Sequence, residues 1–195
     1  MNLRVTRFLA PLAGAVLLMA CSKAPTWRGQ DVSGVMPDLA FELTDSSGKR
    51  VRTESRLGQA TLLYFGFTNC PDICPTTLSQ IKVALEAMGP EAENVRVFLV
   101  SVDPDRDAPA VMTRYTQAFG EWLEGFTGSK AELKAMNNAF KVDFLAQDAN
   151  MRGEYDVMHS NRVFGFDSLG RCRVLMPNTA NTNAMVADLR QLLAL

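Results

Sequence analysis

Cys70-Pro71-Asp72-Ile73-Cys74-Pro75 places two thiols four residues apart, where a continuous apolar run gives way to apolar residues at helical spacing. A junction of that kind leaves backbone N–H groups without partners and presents the positive end of a helix dipole. Both features favour a thiolate, so both cysteines are expected to ionise more readily than an ordinary thiol. Residues four apart on a helix share a face, with Cα atoms about 6 Å apart, inside the roughly 4.4–6.8 Å range of disulfides. The same spacing suits two thiolates on one soft metal ion, or a redox-active dithiol. The alternative is a pair of structural cysteines, but inert thiols belong in apolar cores and reactive ones at helix N-termini.

A third group decides between metal and redox chemistry, and the chain offers one histidine in 195 residues. That count excludes every site built on two or three histidines. His159 follows Tyr155-Asp156-Val157-Met158 and stands just before an apolar segment at Val163. Two thiolates and one imidazole make a compact set suited to copper(I) or zinc, and to copper(II) if further ligands complete its coordination. By itself a lone histidine is more often structural, so its place in the fold matters.

The surrounding elements supply that place. Leu39, Phe41 and Leu43 alternate as on a half-buried strand, Asp45 to Gly48 is a turn, and Val51 restarts an extended segment. Ala60 to Phe67 and Val95 to Val102 read as central, fully buried strands. Leu78, Ile81, Leu85 and Met88 mark a helix opened by Pro75 and closed by Gly89-Pro90. Pro109 opens another to about Phe119, with Asp107 as the expected N-cap. Ser129 and Glu132 have the capping-box spacing for a helix to about Phe140. Arg162–Phe166 and Arg171–Met176 flank a turn as a hairpin, and Asn183–Leu195 is a final amphipathic helix. This order implies an α/β chain of thioredoxin-like fold, a central mixed sheet flanked by helices after an N-terminal extended or hairpin segment. In that fold the loop carrying His159 faces the N-terminus of the cysteine-bearing helix.

Composition narrows the class. Lys and Arg number 20 against 21 Asp and Glu, which is no footprint for nucleic acid. Four cysteines are too few for a disulfide scaffold. Arg4 and Arg7, then the uncharged run Phe8 to Met19, have the layout of a secretory signal over residues 1–20, too short to span a bilayer. Ala20 before Cys21 is similar to a bacterial lipobox, implying lipidation at Cys21. The chain is thus expected to be an exported, membrane-anchored lipoprotein facing the periplasm or another extracytoplasmic space. Residues 21–36 read as a tether and 37–195 as the domain.

The string Tyr64 to Leu78 (YFGFTNCPDICPTTL) resembles the signature of the SCO/SenC copper-binding proteins, as do Ser101 to Asp107 (SVDPDRD) and His159-Ser160 ahead of the last hairpin. The resemblance covers roughly residues 36 to 195. It implies a thioredoxin-like fold, binding of copper(I) and copper(II) by Cys70, Cys74 and His159, and help in building the dinuclear copper A centre of cytochrome c oxidase. Implied partners are the oxidase subunit bearing that centre or other periplasmic copper chaperones. Met158 departs from the aspartate that often precedes the family's histidine. A second reading is a thiol–disulfide reductase, with Cys70 and Cys74 as catalytic thiols keeping the oxidase's copper-site cysteines reduced. A peroxiredoxin is disfavoured, because Phe67 stands where the threonine three residues before its reactive cysteine belongs. Asp72 is a candidate for support of the metal site or for a helix cap. Asp103 is a candidate for metal-site support, though Asp103-Pro104 more readily ends a strand. Met158 and Cys172 are assigned to core packing.

Overall fold

The two uninterrupted apolar runs form the centre of the sheet. The computed structural model describes residues 25–142, 145–146, 157–158 and 161–195. Its strands and helices are β1 (Gln30–Asp31), β2 (Glu42–Asp45), β3 (Arg50–Arg52), β4 (Ala60–Gly66), α1 (Ile73–Met88), β5 (Val95–Ser101), α2 (Pro109–Gln117), β6 (Leu123–Thr127), α3 (Lys130–Phe140), β7 (Leu145–Ala146), β8 (Val157–Met158), β9 (Val163–Phe166), β10 (Cys172–Met176) and α4 (Thr182–Leu193). Eight strands form one mixed sheet in the order β1-β10-β9-β4-β5-β6-β2-β3, while β7 and β8 pair separately. The ladders β4–β5 and β5–β6 are parallel and the others antiparallel. Every residue of β4 is buried, as a parallel strand covered on both faces requires.

Small residues and rings show which helix covers which face. Gly66 lies under Cys74 of α1, Gly125 under Met112 of α2, and Gly165 under Leu192 of α4. Leu62 pairs with Gly165, Tyr64 with Leu99, and Leu99 with Gly125, so these positions share one face, that of Gly66. α1, α2 and α4 therefore cover one side; for α1 and α2, which link β4 to β5 and β5 to β6, right-handed crossovers advancing in one direction demand it. The other side belongs to α3, whose Phe140 ring lies 5.5 Å from Phe65 and 5.2 Å from Phe164. Full burial of each such ring contributes roughly 1.5–3 kcal/mol. The fold is thioredoxin-like, with the C-terminal end of β4 feeding directly into the cysteine loop and α1.

Several local expectations shift. The segment read as a tether is docked from residue 28: the Arg28 and Gly29 amides donate to the Asp188 carboxylate at 2.6 and 2.8 Å, β1 pairs with β10, and Val32 is buried. The strand expected from Leu39 begins at Glu42, because the Leu39 amide instead donates to the Gly170 carbonyl. β6 has no counterpart in the sequence reading: Glu124 and Gly125 interrupt its apolar pattern, and packing beside β5 makes the strand. The capping box of α3 forms as expected, between Ser129 and Glu132. Cys172 sits in the core opposite Phe166, as expected for a small apolar residue, and burial pushes its thiol up to about 12.

Candidate metal centre

Helix α1 begins at Ile73, two residues before the proline expected to open it, so Cys74 lies in its first turn. Pro75 remains compatible, since a first-turn N–H has no intrahelical partner. Cys70 stands in the loop after β4 and is half-buried, while Cys74 is fully buried; among the described residues neither forms a disulfide. The Cys74 amide donates to the Cys70 sulfur at 3.3 Å. This contact folds the loop over the helix start and brings the two cysteines together. Ile73, between them in sequence, is 45% exposed, so apolar surface adjoins the pair.

The surroundings of Cys74 contradict one expectation. Burial pushes its thiol up to about 12 rather than down, although the neighbouring Tyr64 side chain and Phe67 backbone act in the opposite direction. Position in the first turn does not offset the loss of water around a sulfur packed into the core. Tyr64, wholly buried in β4, is also pushed up, first by burial and then by the charge of Cys74. Gly66 makes this packing possible: a Cβ there would lie 3.0 Å from the Cys74 sulfur and 3.0 Å from the Tyr64 ring. On α2, Tyr115 has a buried hydroxyl with no hydrogen-bond partner among the described residues. Burial raises it, and the charges of Cys74, Cys70 and Asp107 raise it further, which places that hydroxyl within electrostatic reach of the dithiol.

Two aspartates hold the loop in ways the sequence reading missed. Asp107 is not the cap of α2, a position taken by Ala108. Its fully buried carboxylate turns inward and accepts from the Thr68 amide at 3.1 Å, the Thr68 hydroxyl at 2.6 Å and the Ser101 hydroxyl at 2.6 Å. It thus ties the end of β5 to a residue two before Cys70. Asp103 forms the strand-ending turn, its carbonyl accepting from the Arg106 and Asp107 amides. Its buried carboxylate pairs with Arg106, whose guanidinium lies 5.6 Å from the Phe67 ring centre. Asp103 thus adjoins the cysteine loop through Arg106 and Phe67. Asp72 is exposed, and its carboxylate accepts from the Thr76 hydroxyl at 3.2 Å without capping a backbone amide. The signal for the close packing at Cys74 lay in β4, where Tyr64 and Gly66 stand among Leu62, Leu63 and Phe65.

Among the described residues no group of three or more His, Cys, Asp or Glu side chains gathers as a metal site. Cys70 and Cys74 are the pair the fold brings together, and both are soft sulfur donors of the kind copper(I) prefers. His159 and Cys21 lie outside the described residues, as does the side chain of Met158.

A family model described as SCO1/SenC matches residues 35–194. The chain belongs to the SCO1/SenC family. A SCO2-like protein of Rickettsia felis is 32% identical over 136 residues, covering 67% of this chain and 64% of the relative. The alignment thus spans less than two thirds of that relative's length. The copper-bound structure of Bradyrhizobium japonicum ScoI superposes with a TM-score of 0.72 at 36% identity, covering 80% of this chain and 99% of that one. A more distant fold match is BsSco, described as a member of the Sco family of cytochrome c oxidase assembly proteins with a disulfide switch; it has a TM-score of 0.62 at 23% identity, covering 83% and 98%. These SCO1/SenC relatives share the fold that places a loop and a helix N-terminus at the end of β4.

Proposed function

We propose that this chain is a copper metallochaperone that binds copper through Cys70, Cys74 and His159 and assists assembly of the dinuclear copper A centre of cytochrome c oxidase. The observation that carries the reading is the asymmetry of the cysteine pair. Cys74 is sealed in the core and Cys70 is only partly buried, with the amide of Cys74 bonded to the sulfur of Cys70. A buried sulfur supplies a ligand that water does not reach. A half-exposed one supplies the ligand that a partner's sulfur or imidazole can displace first. His159, from the segment ahead of β9, completes a three-ligand set. Binding displaces the thiol protons, so affinity rises with pH. The copper-bound ScoI relative supports copper as the cargo, and the assembly role of BsSco supports the oxidase as its destination.

The proposal extends to location. The basic, apolar and small-residue order of residues 1–21 supports export and a lipid anchor at Cys21, with the domain facing the periplasm. Among the described residues no helix is long and apolar enough to cross a membrane.

The same asymmetry favours one second reading, a thiol–disulfide reductase in which Cys70 attacks a partner disulfide and Cys74 resolves the mixed disulfide. The experiment that tests both adds copper(I)-loaded protein to a metal-free copper A domain and follows metal transfer and disulfide reduction in parallel. Transfer without reduction supports the chaperone, and reduction without transfer supports the reductase. In the same assay His159→Ala should weaken copper binding by on the order of 100-fold, judging from the roughly 10–16 kcal/mol that four ligands share in a structural zinc site. Unchanged affinity would remove His159 from the ligand set.

A further inference from the structure

Gln30, Leu175, Phe164 and Leu63 lie in one row across the sheet, on β1, β10, β9 and β4. β1 runs against β10, and β10 runs the same way as β4. The chain ahead of Gln30 therefore leaves the sheet at the end where β4 gives way to the cysteine loop. Three strand spacings of about 4.8 Å put that exit about 14 Å to the side of β4.

The exit is pinned. Asp188 of α4 is 1% exposed, and a carboxylate that deep is tolerated only when it is hydrogen-bonded. Its two oxygens accept from the Arg28 amide at 2.6 Å and the Gly29 amide at 2.8 Å. Gly29 permits the approach, since a Cβ there would lie 2.6 Å from the Leu175 carbonyl oxygen and 2.9 Å from Val174 Cγ2. The carboxylate thus holds the backbone of the segment that leads back to Cys21. The Leu39 amide makes a later tie, to the Gly170 carbonyl at 2.7 Å. Gly170 precedes β10, so that tie lies at the opposite end of the sheet.

Chain length turns the latch into an orientation. The seven residues from Cys21 to Arg28 reach at most about 25 Å in any conformation, against about 65 Å for the eighteen from Cys21 to Leu39. With residue 28 tied, residue 21 stays near the cysteine end of the domain. With it released, the same residue reaches either end. Between the exit and the cysteine loop, on the turn from β10 into α4, the exposed residues Pro177, Asn178, Ala180 and Asn181 carry no charge. That rim approaches a headgroup layer without burying an ion.

We infer that the end of the domain bearing Cys70 and Cys74 faces the lipid surface, and that Asp188 fixes this orientation by latching the N-terminal segment at residue 28. The inference rests on the proposed lipid anchor at Cys21 and adds to it the face turned toward the bilayer. The cysteine pair is thereby presented to acceptor sites that lie close to the membrane.

The test uses the full lipid-anchored chain, metal-free, in vesicles of phosphatidylethanolamine and phosphatidylglycerol that carry a headgroup acceptor dye. A fluorescent amino acid replaces Thr76, exposed in the first turns of α1, or Asn94, exposed just before β5 at the other end of the sheet. Energy transfer to the lipid should be about twofold greater from position 76 than from position 94, because a seven-residue strand separates the two ends by about 23 Å. Asp188→Ala should erase the difference while the protein stays on the vesicles. If Asp188→Ala does not fold, Gly29→Val carries the test, since it forces the segment off β10 and leaves α4 intact. A flexible glycine–serine insertion between Thr26 and Trp27 should also erase the difference, with the latch in place. Equal transfer from the two positions in wild type, or more from position 94, overturns the orientation. A difference that survives in the folded latch variants overturns the role of Asp188. Wild-type protein that does not associate with vesicles overturns the lipid anchor and this inference with it, and leaves copper ligation untouched because no metal is present.

Discussion

Removing the Asp107 carboxylate separates a cysteine loop that is held from one that merely rests on the core. Asp107 is fully buried and bonded to the Thr68 amide, the Thr68 hydroxyl and the Ser101 hydroxyl. Hydrogen bonds to a charged group contribute about 1.5–3 kcal/mol each, while burying the charge costs several kcal/mol. The balance shows in the carboxyl itself, which burial holds above its ordinary value of 3.8 against the lowering effect of Ser101 and Thr68. Alanine deletes both terms and leaves the Thr68 amide without its acceptor; the two hydroxyls can turn elsewhere. The expected net loss is ~2–4 kcal/mol of unfolding free energy, read by urea denaturation of the metal-free protein. Copper affinity should fall about tenfold, because the loop bearing Cys70 loses its tie to β5. Leu133→Ala in α3, on the far face of the sheet, is the control: it should cost a similar ~2–5 kcal/mol and leave copper affinity unchanged.

The pH profile adds an independent check. The folded carboxyl of Asp107 keeps its proton to higher pH than the unfolded one. Between 3.8 and its folded value the native state therefore binds more protons, and its contribution makes stability fall as pH rises through that window. Asp107→Asn keeps the shape and one acceptor and should remove that slope. A loss below about 1 kcal/mol in Asp107→Ala, or copper affinity tracking stability equally in Asp107→Ala and Leu133→Ala, would refute the held loop.

Two further outcomes are expected. In the metal-free reduced protein, brief alkylation at pH 8 should label Cys70 and spare Cys74; a thiol pushed from 9.0 to about 12 presents roughly a thousandfold less thiolate at that pH, before steric shielding is counted. Equal labelling by peptide mass mapping would contradict the sealed position of Cys74. In cells, Cys21→Ala should shift the protein from the membrane to the soluble extracytoplasmic fraction, and continued membrane retention would remove the lipid anchor.

The fold was legible wherever one residue pattern admits one answer. The runs at Ala60 and Val95 could only be buried strands, and Ser129 with Glu132 announced the start of α3. The contact between Cys70 and Cys74 was legible from their spacing at a strand-to-helix junction. Its electrostatics were not, because dipole and exposed-amide arguments are local, whereas the raised thiol of Cys74 comes from the packing of Tyr64, Gly66 and Leu99 around it. Asp107 was misread for a related reason. An aspartate two residues before a helix proline has the local chemistry of a cap, but Thr68, 39 residues earlier in the chain, offers an amide and a hydroxyl that only the tertiary fold brings within reach. β6 escaped notice because neighbouring strands, not its own sequence, make it extended.

Under the proposed ligation, the same burial acts on copper in two opposed ways. Copper(II) with two thiolates and a neutral imidazole carries no net charge, whereas copper(I) with the same ligands carries one negative charge, and a dry interior disfavours the charged complex. The neighbouring Tyr64 side chain and Phe67 backbone act against that penalty at the buried sulfur, while Cys70 meets it by staying near water. Neither oxidation state then lies far below the other, which fits the proposed acceptance and release of metal. Sealing Cys70 as deeply as Cys74 would tilt the balance toward copper(II) and close the route for exchange. Exposing Cys74 would instead open the inner ligand to water and to unrelated thiols. One thiol inside and one at the surface is the arrangement that keeps both oxidation states and both directions of transfer within reach.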